Sequence, residues 1–237
     1  MSPGRWIPRS PGACGGGGGT YPWGRVKWKW QSLLPVVFVL LAAATRWPEL
    51  FPPNFSAFYA LAFCAGAFFP GRVAWWVPLG TLLGTDLALN CYYQFVVGVD
   101  AFQWFQLINY AGFALLVVLG RGFGPNASWL QLLGGGIVGA CLFYLLTNTA
   151  AWLFNPFRNP EYTRDLTGWL AALTFGTKGH PPTWEFFRNS LLSGGLFTGL
   201  FAGVWRWSAA ADPEPAPAVE EPEGEVDGEP KAEEAKA

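Results

Sequence analysis

The amino-acid sequence predicts an all-α protein, a six-span transmembrane helix bundle, and three observations support this prediction. Of the 237 residues, 51% are hydrophobic and 17% are aromatic. Only 13% are charged, which is about half the share of an ordinary soluble domain, about 25%. The apolar residues also form long uninterrupted runs rather than recurring at every second position, which favours helices embedded in lipid.

Each predicted span is an apolar run bounded by charged residues. A helix needs roughly 17 to 25 residues to cross a hydrocarbon core of about 30 Å. Runs of suitable length lie between Lys29 and Arg46, Glu49 and Arg72, Arg72 and Asp100, Asp100 and Arg121, within Trp129–Phe154, and between Arg188 and Arg206. A seventh run, residues 166–177, is too short to cross, so we predict a short interfacial or re-entrant helix in the last outer loop.

The two ends of the chain differ from the body in charge, which predicts three regions. Residues 1–29 contain five basic residues and no acid, and they form a flexible, glycine-rich basic leader. Residues 30–208 form the six-helix membrane domain. Residues 209–237 contain ten acidic residues against two lysines, together with many Ala and Pro, and are predicted to be a disordered acidic tail.

The same charges predict the orientation in a cell membrane. Lys and Arg accumulate on the cytoplasmic side of membrane proteins. The basic leader therefore places the N-terminus in the cytoplasm, and six spans return the C-terminus to that side. Arg72 and Arg121 then lie in inner loops that contain no acid.

Enzyme signatures are absent from the sequence. His180 is the single histidine, and the four cysteines have no metal-ligand spacing. The basic leader adjoins a predicted span, where anionic lipid explains it better than nucleic acid does. We therefore expect no catalytic activity, no cofactor, no metal and no nucleic-acid partner.

Asp86 is the only acid within a predicted span. A carboxylate at that depth costs several kcal/mol unless it is paired or hydrated, so it indicates a functional site. On the predicted topology it shares an outer layer with Asn54, Asn148, Arg188 and Asn189. We hypothesise a polar pocket open to the outside, built by these residues with Asn54 at its rim.

Structural roles remain as alternatives for the pocket residues. Asp86 could be hydrated near the interface or neutralised by an Arg that ends a helix. Asn54 could be a helix N-cap. Asn148 could bond a neighbouring helix, and Arg188 could pair with Glu185 one turn earlier.

Small residues recur every fourth position on several predicted helices. The sixth helix carries Gly195, Gly199 and Gly203, and the third carries Gly80 and Gly84. Such faces let helices approach closely in lipid. They predict contacts within the bundle or, alternatively, an interface for a membrane partner subunit.

Several segments resemble a family of small, functionally uncharacterised bacterial integral membrane proteins. These segments are residues 46–56 (RWPELFPPNFS), 65–69 (AGAFF), 77–79 (VPL) with Asp86, 144–152 (YLLTNTAAW) and 186–192 (FFRNSLL). The resemblance extends from about residue 33 to 205. A looser similarity, in architecture and Ala/Gly spacing, is to the S components of energy-coupling factor transporters. That similarity implies an outward-facing solute site and helix faces that contact a partner subunit.

The sequence therefore favours a non-enzymatic subunit that binds a small solute or takes part in its uptake, with the lipid bilayer as its surroundings. The competing hypothesis is a structural or scaffolding membrane protein without a solute site, whose acidic tail recruits a cytoplasmic partner.

Overall fold

The computed structural model describes residues 30–124 and 126–211, and this part of the chain is entirely helical, with no strand. The predicted leader, 1–29, and most of the predicted tail, 212–237, lie outside the described residues. The helices are α1 (Trp30–Ala44), α2 (Phe58–Phe68), α3 (Val73–Tyr92), α4 (Gln106–Arg121), α5 (Trp129–Phe154), α6 (Leu166–Leu173) and α7 (Thr183–Ala211), and a π-helical turn (Tyr93–Val97) extends α3.

Among the described residues, α5 is the one helix that by length and composition could cross a membrane, with a mean hydropathy of 1.8 over its most apolar window. Its start is fixed by a capping box. The Ser128 hydroxyl accepts from the Gln131 backbone N–H, and the Gln131 side chain accepts from the Ser128 N–H. These reciprocal bonds satisfy two donors that a helix start leaves unpaired. α3 and α7 are also long, but they carry more polar and charged residues.

The centre of the bundle is α2, the shortest of its core helices. All eleven of its residues are buried. Two glycines let α2 and α4 cross with their backbones in contact. A Cβ atom added at Gly66 would lie 2.2 Å from the Val117 carbonyl oxygen, and one added at Gly120 would lie 2.0 Å from the Phe63 oxygen.

The core helices alternate in direction, and contacts at the two ends show this. At one end, which we call the basic end because Arg72, Arg121 and Arg206 lie there, the Arg121 guanidinium donates to the Gly71 carbonyl. Phe68 stacks on Trp205 at the same end, with ring centroids 4.9 Å apart. At the opposite end Arg46, which follows α1, forms an ion pair with Asp86 of α3.

The predicted glycine faces have different surroundings. Gly195, Gly199 and Gly203 lie against α5, where an added Cβ would be 3.5 Å from Ile137 and 3.3 and 3.9 Å from Trp129. These are looser contacts than the α2–α4 crossing. Gly80 and Gly84 have nothing within 4 Å among the described residues. One interpretation of this α3 face was a close helix contact within the bundle. Among the described residues no such contact is formed at Gly80 or Gly84.

A short helix does lie in the long segment between α5 and α7. It spans eight residues, Leu166–Leu173, rather than the whole apolar run 166–177. Asp165 caps it, because its carboxylate accepts from the Gly168 N–H at 2.8 Å. The helix ends at Leu173, with Thr174 as its C-cap, and the chain turns at Gly176, which has a positive φ of 70°.

Candidate functional site

A cavity of about 840 Å³ opens at the end of the bundle opposite the basic end. We call it the outer cavity. Its walls are the α1–α2 loop, the first turn of α2, the last part of α3 with the π-helical turn, and the facing parts of α4 and α5. The lining residues are Thr45, Arg46, Trp47, Pro48, Glu49, Phe51, Pro52, Pro53, Asn54, Phe55, Ser56, Phe58, Tyr59, Leu89, Tyr92, Tyr93, Val97, Phe105, Asn109, Phe113, Phe143, Thr147, Asn148 and Ala151.

The floor of the outer cavity is a cluster of four aromatic rings from three helices. Phe113 of α4 and Phe143 of α5 lie 4.6 Å apart between centroids, and Tyr59 of α2 lies 5.2 Å from Phe143. Phe58 completes the cluster, 5.4 Å from Phe113. The Tyr59 hydroxyl is held at 3.0 Å from the Ser190 hydroxyl of α7. All four side chains are at most 8% exposed, so packing within the bundle holds the rings and only a small part of their surface faces the cavity.

One charged pair lies beside this floor. The Arg46 guanidinium donates to the Asp86 carboxylate, and its Cζ lies 5.2 Å from the Phe58 ring centroid. The Nε–H of Arg46 is buried and has no hydrogen-bond partner in the described part of the chain. Arg46 therefore lines the cavity as a neutralised cation with an unused donor.

The polar wall opposite Arg46 consists of α4 and α5 side chains. Asn148 donates from its amide nitrogen to the Tyr144 carbonyl at 2.9 Å. Thr147 donates to the Phe143 carbonyl at 2.9 Å. Each side-chain oxygen can still accept a hydrogen bond. Asn109 lines the same wall from α4.

The α1–α2 loop covers the outer cavity and is anchored at both ends. Thr45 donates to the Ala42 carbonyl at 2.9 Å and accepts from the Ala57 N–H at 3.0 Å. Asn189 of α7 donates to the Pro53 carbonyl at 2.9 Å. Between these anchors Asn54 adopts a left-handed conformation, with φ 61°.

Two of the five predicted pocket residues line the outer cavity, and two more contact residues that line it. Asn54 and Asn148 line the outer cavity. Asp86 reaches it through Arg46, and Asn189 supports the loop from behind. Arg188 does not join them, because its side chain is exposed and lies over the Trp184 ring at 5.5 Å. That these residues bind a solute stays a prediction.

The structure also tests the structural roles that were the alternatives for Asp86, Asn54, Asn148 and Arg188. Asp86 is neutralised by Arg46, the residue that follows the end of α1. Asn54 is not a helix N-cap, because α2 begins four residues later, with Ala57 in the cap position. Asn148 bonds its own helix rather than a neighbour. Arg188 does not pair with Glu185, since Arg46–Asp86 is the one ion pair within 30–124 and 126–211.

Sequence reasoning missed Arg46, Asn109 and the aromatic floor. Arg46 was interpreted only as a charge at a span end. The signal that identifies it is the single acid within the predicted spans, because a carboxylate in lipid needs a cation at the same depth. Asn109 and the rings gave no signal, because amides and phenylalanines occur throughout the chain.

A second, shallower groove of about 470 Å³ lies between α5 and α6. The indole N–H groups of Trp152 and Trp169 both donate within the protein, to the Thr163 carbonyl at 2.7 Å and the Thr149 hydroxyl at 3.0 Å. Their rings therefore form apolar walls. Hydrogen bonds from the Thr163 hydroxyl and the Gly168 N–H lower the pKa of Asp165, which lies at the rim.

No group of three or more His, Cys, Asp or Glu side chains in the described ranges is arranged to hold a metal ion. Cys64, Cys91 and Cys141 are free thiols. The lining of the outer cavity offers aromatic rings and a small set of hydrogen-bonding side chains.

Comparison with known protein families gives a match over residues 26–215, which is most of the chain, to a family of unknown function (DUF6580). No curated protein and no solved structure matches the sequence. The match agrees with the uncharacterised family that the sequence segments resemble, and it carries no activity.

Proposed function

Because the chain belongs to the DUF6580 family, whose function is unknown, we propose its function from its own geometry: it is an integral membrane subunit that binds a small solute for uptake. The single observation that carries the proposal is the outer cavity of about 840 Å³. Small-molecule sites typically have volumes of about 300 to 1,000 Å³, aromatic walls and a few placed polar groups. The outer cavity has all three features.

Membrane residence is supported by the outward faces of the helices. Thirty-six large hydrophobic side chains are exposed in the described part of the chain. On α7 the residues Leu192, Leu196 and Leu200 recur every four positions on one exposed face. Soluble monomers rarely expose apolar patches of that extent. Lipid is the solvent that suits such faces. These faces support the predicted six-span arrangement of α1 to α5 and α7, in which the eleven-residue α2 does not cross a core of about 30 Å by itself.

The orientation follows from the basic end. Arg72 and Arg121 lie there in short loops, and cytoplasmic loops are enriched in such residues. With the basic end in the cytoplasm, both termini are cytoplasmic and the outer cavity faces outside. The short α6 then lies at the outer interface, where Trp152 and Trp169 fit the aromatic belt. A solute can enter from outside without crossing the bilayer.

Uptake further requires a partner that supplies energy. We propose this role from the similarity in architecture to S components of energy-coupling factor transporters. The exposed α3 face with Gly80 and Gly84 is a surface on which a partner helix could approach closely.

Native mass spectrometry of the full chain in detergent tests the proposal. We expect a small-molecule adduct on the wild type. Ala151→Phe places a ring in the outer cavity and should abolish the adduct, whereas Ala111→Phe, on an exposed face of α4, should retain it.

The competing scaffold hypothesis gives a different result. It predicts no adduct on either variant or on the wild type, and a soluble partner that is lost when residues 212–237 are deleted. Deletion from residue 212 leaves α7 intact. That combination would refute a solute-binding role.

A further inference from the structure

The groove of about 470 Å³ between α5 and α6, which we call the α5–α6 groove, is separate from the outer cavity, and no residue lines both. We propose that it binds a zwitterionic phospholipid of the outer leaflet, with the phosphate against Arg164 and an acyl chain against two tryptophan rings. This proposal goes beyond the solute site and rests only on the proposed membrane residence and orientation. The lining residues are Thr149, Trp152, Arg164, Asp165, Leu166 and Trp169.

The apolar part of the α5–α6 groove is accessible surface rather than packed core. Leu166 is 67% exposed, and Trp152 and Trp169 are half-buried. Both indole N–H groups already donate within the protein, to Thr163 and Thr149, so the rings present no unpaired donor. Covering such a surface with hydrocarbon removes apolar area from water, which is favourable.

The charged part of the groove contains a cation that the protein leaves uncompensated. Arg164 is exposed, and it takes no part in the single ion pair of residues 30–124 and 126–211, Arg46–Asp86. A guanidinium presents a planar fork of donors that matches two oxygens of a phosphate group. Phospholipid headgroups supply such oxygens at the membrane surface.

The neighbouring carboxylate indicates the class of headgroup. Asp165 accepts from the Thr163 hydroxyl at 2.6 Å and from the Gly168 N–H at 2.8 Å, and these bonds hold its pKa below the usual range. The carboxylate is therefore ionised at neutral pH, and together with Arg164 it carries no net charge. A headgroup with one phosphate and one ammonium complements both side chains. An anionic headgroup brings no cation to the carboxylate.

The two parts of the groove are adjacent, as the two parts of a phospholipid are. Arg164 and Asp165 immediately precede α6, and Leu166 is its first residue. A phospholipid likewise joins a charged headgroup directly to acyl chains. A free phosphate ester would contact only the charged part of the groove, and a diacylglycerol would contact only the apolar part.

Four probes separate these sources, and native mass spectrometry of the full chain in detergent measures the first binding constant of each. Dioleoylphosphatidylethanolamine carries every group, dioleoylphosphatidylglycerol lacks the ammonium, dioleoylglycerol lacks the phosphate, and glycerophosphoethanolamine lacks the acyl chains. We expect the first probe to bind at least about fivefold more tightly than each of the others, a difference of about 1 kcal/mol. Equal or tighter binding of any other probe would overturn the proposal.

Two matched pairs of exposed residues locate the site. Arg164→Gln removes the cation and should weaken phosphatidylethanolamine binding about fivefold, whereas Arg158→Gln, outside the groove lining, should leave it unchanged. Leu166→Gln removes apolar surface from the groove and should also weaken binding. Leu170→Gln changes another exposed leucine of α6 that does not line the groove, and binding should persist. Equal effects within either pair would exclude the α5–α6 groove as the site.

The role of Asp165 is tested by Asp165→Asn. Asparagine is as good an N-cap as aspartate, so α6 keeps its start while the negative charge is lost. The preference for phosphatidylethanolamine over phosphatidylglycerol should then disappear. An unchanged preference would show that the carboxylate does not select the headgroup.

The failure of this proposal can be told from the failure of membrane residence. If the wild type stays in membranes after alkaline carbonate extraction but shows none of these lipid preferences, membrane residence stands and only the phospholipid site is wrong. Release of the protein into the supernatant would overturn membrane residence, and the phospholipid site with it.

Discussion

The crossing of α2 and α4 gives the sharpest stability prediction. At Gly120 an added Cβ would lie 2.0 Å from the Phe63 carbonyl oxygen and 3.1 Å from the Ala67 nitrogen. Both are backbone atoms of a helix that is buried along its whole length. They cannot rotate away as a flexible side chain does. Gly120→Ala therefore has to separate the two helices until that oxygen is in ordinary contact, at 3.4 Å or more.

The expected cost is that of overpacking a core, about 1 to 3 kcal/mol. Alanine also improves helix propensity over glycine by about 1 kcal/mol, which offsets part of it. Gly80→Ala is the matched control, because it gains the same propensity and meets nothing within 4 Å. The difference between the two variants isolates the overlap.

Thermal unfolding in detergent, followed by circular dichroism, measures that difference. At about 2 to 4 °C per kcal/mol for a chain of this size, Gly120→Ala should melt about 2 to 12 °C below Gly80→Ala. Equal melting temperatures would show that the helices separate without cost, and the description of α2 as a tightly held central helix would then be wrong.

Two further predictions concern polar contacts. Asp165→Ala removes the cap of α6, so hydrogen exchange at the Gly168 N–H should accelerate. The folded-state pKa of Asp165 is lowered. The wild type should therefore keep its protection of Gly168 as the pH falls past about 3.9, the ordinary aspartate pKa, and lose it only at lower pH. Early loss, above that pH, would contradict the lowered pKa. Asn90→Ala breaks the paired amide bonds to Gln106, at 2.9 and 3.0 Å, and should destabilise the protein by about 1 to 2 kcal/mol, with an unchanged melting temperature as the refuting result.

The fold was predictable from sequence where helix ends coincide with charge or with capping chemistry. The bounds of α5 match the predicted segment Trp129–Phe154, since Ser128 caps its start and polar residues follow its end. α2 is half the length of the apolar run that contains it. Pro52 and Pro53 lie in that run, and residues before a proline avoid the helical region. Hydropathy alone does not register this restriction.

The site was predictable only in part. A carboxylate within a predicted span is a strong signal, and the ion pair with Arg46 is one of the structural alternatives that the sequence left open for Asp86. The identity of the compensating cation is a tertiary fact, since Arg46 lies forty residues away in sequence. Arg188, by contrast, does not line the outer cavity. A position near the end of a predicted span suits either a cavity residue or an aromatic contact, and here the Arg188 side chain lies over the Trp184 ring one turn earlier.

The shortness of α2 has a consequence for how the depth of the outer cavity is set. Eleven residues rise about 16 Å, against about 39 Å for the 26 residues of α5. The room that a longer central helix would fill is occupied by the α1–α2 loop and by empty volume. Each extra turn at the start of α2 would raise the floor by about 5.4 Å. The residue at which α2 begins, Phe58, therefore sets the depth of the outer cavity.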